Sequence, residues 1–127
     1  MGTARRRPTD AELAILRVLW TRGPSTVREV AAAMGRDESY TTVLKLLQIM
    51  GEKGLVERDE SARTHIYVAA RSEAHTQKQL VADLITRAFG GSASKLVLHA
   101  LSAGTASPEE LAEIRKLIDE HKGGGRQ

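Results

Sequence analysis

The sequence contains no cysteine, few aromatic residues and no long apolar run. None of its 127 residues is a cysteine, which excludes disulfide bonds, thiol catalysis and metal sites built from thiolates. One Trp, two Tyr and one Phe are its aromatic residues. No stretch approaches the ~20 consecutive apolar residues of a membrane-spanning helix, and the N-terminus lacks the apolar segment of a signal peptide. We therefore expect a cytoplasmic protein that does not insert into a membrane.

Groups of side chains that could catalyse a reaction or bind a metal are also lacking. The histidines, His65, His75, His99 and His121, fall in four different predicted segments, and the carboxylate pairs at 37–38, 59–60 and 109–110 lie at a turn, a hairpin tip and a helix start. No Gly-rich loop follows a predicted strand, as a phosphate-binding loop would. The sequence therefore predicts no enzyme, no metal site and no cofactor.

The net charge of +3 is distributed unevenly along the chain. Residues 1–71 hold 12 Lys and Arg against 9 Asp and Glu, whereas residues 72–127 hold 7 of each kind. The basic excess begins with the run Arg5, Arg6 and Arg7. An anionic partner of the N-terminal half explains this asymmetry. An ordinary solvated surface with a disordered basic tip explains the charge count equally well.

Capping residues mark three helices in the first half of the chain. The predicted starts are Thr9 with Glu12, Thr26 with Glu29, and Ser39. A hydroxyl residue with a glutamate three positions later is the capping box, in which each side chain satisfies a backbone donor of the other residue. Gly35 and Gly54 stand where the second and third helices should end.

After the third helix the apolar pattern changes to that of strands. Two pairs of apolar residues flank a charged tip: Leu55 with Val56, and Ile66 with Val68. This is typical of a β-hairpin. Two helices joined by a short Gly-containing turn form a helix-turn-helix, and the hairpin adds a wing. We predict a mainly α protein with a small β-hairpin wing, having a winged helix-turn-helix DNA-binding domain over residues 9–71 after a flexible basic arm over 1–8.

The remaining chain returns to helical periodicity in three segments. Such short helices with one-sided apolar stripes bury little surface alone, and a second copy of the chain would cover them. Packing back onto the winged helix of the same chain is the alternative. We predict a helical dimerisation domain over residues 72–122, then a flexible tail over 123–127. The predicted homodimer interface consists of Leu80, Leu84, Leu101, Leu111, Ile114 and Ile118.

The helix that follows Ser39 has an unusual exposed face. It carries no Asp or Glu before Gly51, so nothing on it would repel DNA phosphates. In a helix-turn-helix the second helix enters the major groove with its N-terminal residues nearest the base edges. We predict base contacts by Thr41, Thr42, Lys45 and Gln48, whose hydroxyl, ammonium and amide groups match base edges. An ordinary surface with one lysine is the alternative.

Contacts to the DNA backbone, which set position without reading sequence, are predicted around this helix. The candidates are Arg28 in the second helix, Ser39 and Tyr40 at the start of the third, Arg63 and His65 on the wing, and Arg5, Arg6 and Arg7 of the arm. Packing over the hairpin is the alternative role for Tyr40. Disorder without DNA contact is the alternative for the arm.

Five stretches occur in one order over about residues 8–120: PTDAELAILRVLWTRGPSTVREVAAAM, YTTVLKLLQIMGEKGLVERD, HIYVAARSEAH, AFGGSASKLVLHAL and EELAEIRKLIDE. Together they resemble the penicillinase repressor family of bacteria, the BlaI/MecI type. The resemblance implies a homodimeric winged-helix repressor that binds a palindromic operator, often of genes for β-lactamase or a resistant penicillin-binding protein. We therefore expect a repressor of β-lactam-resistance or related stress genes. The alternative is a winged-helix protein-interaction module without sequence-specific DNA binding.

Two groups of residues depart from the family pattern. Thr41, Thr42 and Lys45 match the family's base-contacting positions, but Leu44 replaces an arginine of the better-known members and Thr41 replaces a lysine. The operator sequence is therefore left open. In those members a membrane-bound sensor protease triggers cleavage of an Asn-Phe bond. The matching bond here is His99–Ala100, so it is the candidate cleavage site and a sensor protease is a candidate partner. The missing bulky apolar residue argues against the same cut.

Overall fold

The structure, a computed structural model, describes residues 7–35 and 39–124. Its elements in chain order are α1 (Asp10–Arg22), α2 (Val27–Met34), α3 (Tyr40–Lys53), β1 (Val56–Asp59), β2 (Ile66–Ala69), α4 (Glu73–Ala88), α5 (Ala93–Ser102) and α6 (Pro108–Gly124). The predicted class, mainly α with a small hairpin, is confirmed. Within the described ranges no helix has the length and apolar character needed to cross a membrane.

The predicted capping residues begin the first three helices. In the first box Glu12 N donates to Thr9 Oγ1 at 3.2 Å and Thr9 N donates to Glu12 Oε1 at 2.9 Å. The box that begins α2 has the same reciprocal bonds. At the start of α3, Ser39 Oγ accepts from Thr42 N at 3.1 Å. These side chains satisfy amides that the first helical turn leaves without partners, so the helix starts follow from local sequence.

One apolar core lies among α1, α2, α3 and the hairpin. Its buried side chains are Ile15, Leu16, Leu19, Val27, Val30, Val43, Leu47, Met50, Val56 and Tyr67. Burial of each large aliphatic side chain contributes roughly 1.5–3 kcal/mol. The buried residues of α3 are Val43, Leu47 and Met50, spaced four and three apart on one face of the helix. The other face of α3 is therefore left for solvent or a partner.

The hairpin is attached to the turn between α1 and α2, an arrangement that the sequence did not predict. β1 and β2 pair antiparallel along their whole length. Tyr67 N donates to Ser25 O at 2.7 Å and Ser25 N donates to Tyr67 O at 3.0 Å, which makes an isolated antiparallel bridge. Tyr67 is only 2% exposed, whereas the apolar neighbours Ile66 and Val68 are half-buried. These two hydrogen bonds attach the backbone of the wing to the turn between α1 and α2, beside the core.

A buried ion pair joins the start of α1 to the end of α3. Lys53 Nζ lies 2.7 Å from Glu12 Oε1, and the Glu12 side chain is 3% exposed. Burial raises the pKa of Glu12, but the hydrogen bond and charge of Lys53 and the bonds with Thr9 outweigh burial and lower the pKa below its ordinary value. The Glu12 carboxylate therefore stays ionised. Its partner Lys53 is 41 positions away in sequence.

The chain divides into two compact units, Met1–Val81 and Ala82–Gln127. In the second unit Gly90 and Gly91 follow α4 with positive φ angles of 59° and 85°, so the glycine pair ends that helix. Ser107 and Glu110 form a reciprocal cap at the start of α6. Neither α5 nor the described side chains of α6 include a buried residue. The limits of the proposed dimerisation domain, residues 72–122, remain a prediction.

Candidate nucleic-acid interface

The four side chains predicted to contact bases are all exposed on α3. Thr41, Lys45 and Gln48 are four and three positions apart, so they share one face of the helix, and Thr42 adjoins it. The Thr42 hydroxyl accepts from Ser39 Oγ at 3.0 Å and keeps its own proton for another acceptor. Lys45 is the single charged residue among α3 positions 40–50. The face therefore offers donors and one positive charge to an anionic groove.

The first turns of α2 and α3 meet through Arg28 and Tyr40. The Arg28 guanidinium carbon lies 5.6 Å from the centre of the Tyr40 ring, within the range of a cation–π contact. Tyr40 is 47% exposed. The carboxylate beside Arg28, that of Glu29, accepts from Thr26 N at 2.9 Å and lies 3.8 Å from an Arg22 nitrogen. The nearest acidic neighbour in sequence is therefore engaged elsewhere.

The carboxylates at the wing tip are bound locally. Glu60 forms an ion pair with Arg58. Asp59 Oδ1 accepts from Ser61 N at 2.9 Å, and this backbone bond lowers the pKa of Asp59. A hydrogen bond with Tyr67, then the contact with Glu60, raises the pKa of Arg58. These local contacts reduce the acidic character of the tip that the sequence suggests.

The basic residues predicted to contact the DNA backbone are placed differently from one another. Arg63 and His65 are exposed between β1 and β2. Arg7 is half-buried before α1, whereas Arg5 and Arg6 lie outside the described residues. The Ser39 hydroxyl serves the cap of α3. Among these candidates the structure brings Arg28 and Tyr40 into contact, and Ser39 precedes Tyr40 in the chain.

The predicted interface residues of the second half retain much exposure in the single chain. Leu84, Leu101, Leu111 and Ile118 are 39–54% exposed, and Leu80 and Ile114 are half-buried. On α6, an open apolar groove is lined by Ile114, Leu117, Ile118, His121 and Lys122. Large exposed apolar side chains gathered on helices are typical of surfaces that contact another protein.

The candidate cleavage bond, His99–Ala100, lies inside α5. Both residues are exposed, and the His99 ring lies 5.9 Å from the ring of Phe89. A protease needs an extended segment, so this turn of α5 would have to unwind before cleavage.

No cluster of three His, Asp or Glu residues suited to a metal occurs in residues 7–35 and 39–124. The sequence did not predict three contacts that position the interface. These are Arg28 with Tyr40, Glu12 with Lys53, and Ser25 with Tyr67. Tyr67 is the single aromatic residue of the hairpin, and this could have indicated that it is buried in the contact with Ser25. No periodicity or motif indicated the first two.

A three-helix unit with a hairpin packed beside its third helix defines a winged helix-turn-helix domain. The sequence matches the penicillinase repressor family over residues 8–120. The chain belongs to the penicillinase repressor family, whose members are DNA-binding transcriptional repressors and not enzymes.

Individual relatives agree with this assignment. The chain is 32% identical over 123 residues to the transcriptional regulator BlaI of Mycobacterium tuberculosis, covering 91% of this chain and 85% of that one. It is 23% identical over 116 residues to the penicillinase repressor of Bacillus licheniformis, covering 90% and 91%. In fold it is similar to the crystal structure of a MarR family transcription regulator, with a TM-score of 0.51, 24% identity and coverage of 95% and 79%.

Proposed function

We propose that the chain is a homodimeric repressor that binds a palindromic operator by inserting α3 into the major groove. The observation that carries this proposal is the exposed face of Thr41, Thr42, Lys45 and Gln48, which has donors, one positive charge and no carboxylate. Lys45 suits the O6 and N7 acceptors of guanine, and the Gln48 amide suits N6 and N7 of adenine. A face without carboxylates approaches DNA without charge repulsion.

Backbone contacts would set the register of α3 in the groove. Arg28 lies in α2, before α3 in the chain, and Arg63 and His65 lie on the wing, after α3. All three side chains are exposed. Each phosphate neutralised by a cation releases condensed counterions. These contacts supply affinity and salt dependence, while the residues of α3 supply sequence preference.

The exposed apolar side chains of the second half of the chain support dimerisation through that half. None of the described side chains of α5 and α6 is buried. The apolar side chains of Leu111, Leu117 and Ile118 are 45–54% exposed. A second copy related by two-fold symmetry would cover these side chains. The same symmetry would place two α3 helices on two half-sites of a palindrome.

The genes that it controls are proposed from the relatives. The names of the similar proteins from Bacillus licheniformis and Mycobacterium tuberculosis refer to penicillinase and to BlaI, so we propose β-lactam-resistance or related stress genes as targets. The protein would act in the cytoplasm, where its DNA target lies. A sensor protease acting at His99–Ala100 would first need α5 to unwind.

Binding isotherms on operator and scrambled duplexes test this function. The operator is first located by footprinting the protein on the DNA upstream of its own gene. Lys45→Ala should then lower the preference for operator over scrambled DNA by roughly 1–3 kcal/mol, since a base contact has one correct partner. Lys116→Ala, an exposed lysine of α6, is the matched control and should change neither affinity. Equal binding of wild-type protein to all duplexes would exclude a sequence-specific repressor.

A further inference from the structure

The one aromatic side chain at the start of α3 contacts an arginine from the neighbouring helix. Tyr40 is 47% exposed, and the Arg28 guanidinium carbon is 5.6 Å from its ring centre. We propose that Tyr40 is a positioning residue: its ring holds the Arg28 guanidinium in place, before DNA arrives, for contact with one phosphate. This rests on the proposed function, because the phosphate belongs to the operator DNA.

Among the described residues, the carboxylate next to Arg28 in sequence is bound by other groups. Glu29, the adjacent carboxylate, accepts from Thr26 N and faces Arg22. Within residues 7–35 and 39–124 no ion pair of Arg28 is found, and its ring contact is with Tyr40. A planar guanidinium stacks on an aromatic face and still presents its N–H groups at its edge. Arg28 can therefore keep the ring contact while it donates to a phosphate oxygen.

The Tyr40 ring would act by reducing an entropic cost. An arginine side chain has many rotamers, and immobilising such a chain on binding costs roughly 0.5–1.5 kcal/mol, a factor of about 2 to 12 in affinity. The Tyr40 ring already restrains the Arg28 side chain in the free protein, so less conformational entropy is lost when DNA binds. The benefit is independent of DNA sequence, since every duplex presents the same phosphate. It should therefore appear in operator and scrambled affinity alike.

Three variants separate the effects of the Tyr40 ring, the Tyr40 hydroxyl and the Arg28 charge on DNA binding. Tyr40→Phe keeps the aromatic face, and it should bind within about twofold of the wild type because Phe also attracts cations. Tyr40→Leu removes the ring and should weaken binding by up to about 12-fold per half-site. Because the Arg28 charge remains, the slope of log K against log salt should stay that of the wild type. Arg28→Ala should reduce that slope by about 0.9 per half-site.

A double-mutant cycle completes the test on full-length protein. If Tyr40 acts through Arg28, Tyr40→Leu should have no further effect in the Arg28→Ala background. Thermal unfolding of each variant should match the wild type, since both side chains are exposed. Equal losses from Tyr40→Leu in both backgrounds, or a Tyr40→Phe variant as weak as Tyr40→Leu, would show that Tyr40 touches DNA itself and overturn the proposal. A Tyr40→Leu variant that binds like the wild type would also overturn it.

Failure of the wider function gives a different result. If wild-type protein binds operator and scrambled DNA equally, the repressor proposal fails before any variant is compared. If operator selection holds and the cycle shows no coupling, only the positioning role of Tyr40 fails.

Discussion

Removing the partner of the buried Glu12 carboxylate tests how α3 is held against α1. We expect Lys53→Met to lower the free energy of unfolding by about 1.5–3 kcal/mol, the range for a hydrogen bond to a charged group. Breaking a fully buried ion pair costs about 3–5 kcal/mol. The loss should be smaller here, because 25% of the Lys53 side chain is exposed and Thr9 N still donates to Glu12 at 2.9 Å. Methionine retains an apolar stem, so little packing is lost.

Thermal and denaturant unfolding measure this loss. The melting temperature should fall by about 4–8 °C for each kcal/mol, as for a domain of 60–100 residues. All samples need one protein concentration, since dimerisation makes the melting temperature depend on concentration. Lys78→Met replaces an exposed lysine of α4 and should stay within about 0.5 kcal/mol of the wild type.

The loss of stability in Lys53→Met should be larger at neutral pH than in acid. The folded-state pKa of Glu12 lies below its ordinary value, which is about 4.3 in an unfolded chain. The pair therefore stabilises the fold above about pH 4.3, and this stabilisation is lost as the pH falls through the folded pKa. The gap between wild type and Lys53→Met should be full at neutral pH and narrow in acid. A gap that is absent at neutral pH, or unchanged in acid, would refute the role of the ion pair.

Three further outcomes are expected. Arg63→Ala should weaken binding to operator and scrambled DNA equally and reduce the salt slope by about one ion per half-site, as measured by isotherms in a salt series; a change in sequence preference would contradict this. Leu111→Asp combined with Ile118→Asp should give a monomer in sedimentation and weaken operator binding through lost effective concentration, with Glu113→Ala as the control that stays dimeric. Gly54→Ala should cost roughly 1 kcal/mol in chemical denaturation, because Gly54 has φ 82° and alanine is strained there; an unchanged midpoint would contradict that reason.

Local sequence determined the elements of this protein and the face that α3 exposes. Capping side chains act within three residues of themselves, so Thr9, Thr26 and Ser39 fixed the helix starts without help from the rest of the fold. Gly54 ends α3 because it adopts a left-handed conformation that other residues avoid. The apolar spacing of α3 selects its buried side and therefore also the polar side that carries Lys45. These are properties of short segments.

Tertiary structure alone decided how that face is held and what surrounds it. The Glu12 carboxylate caps its own helix, a role visible in sequence, but its ion pair with Lys53 requires α1 and α3 to pack together. Arg28 and Tyr40 meet because α2 and α3 pack together with their first turns side by side. Tyr67 is buried because its strand bonds to the turn at Ser25. Contacts between residues far apart in sequence depend on the path of the whole chain, and no local pattern of side chains encodes that path.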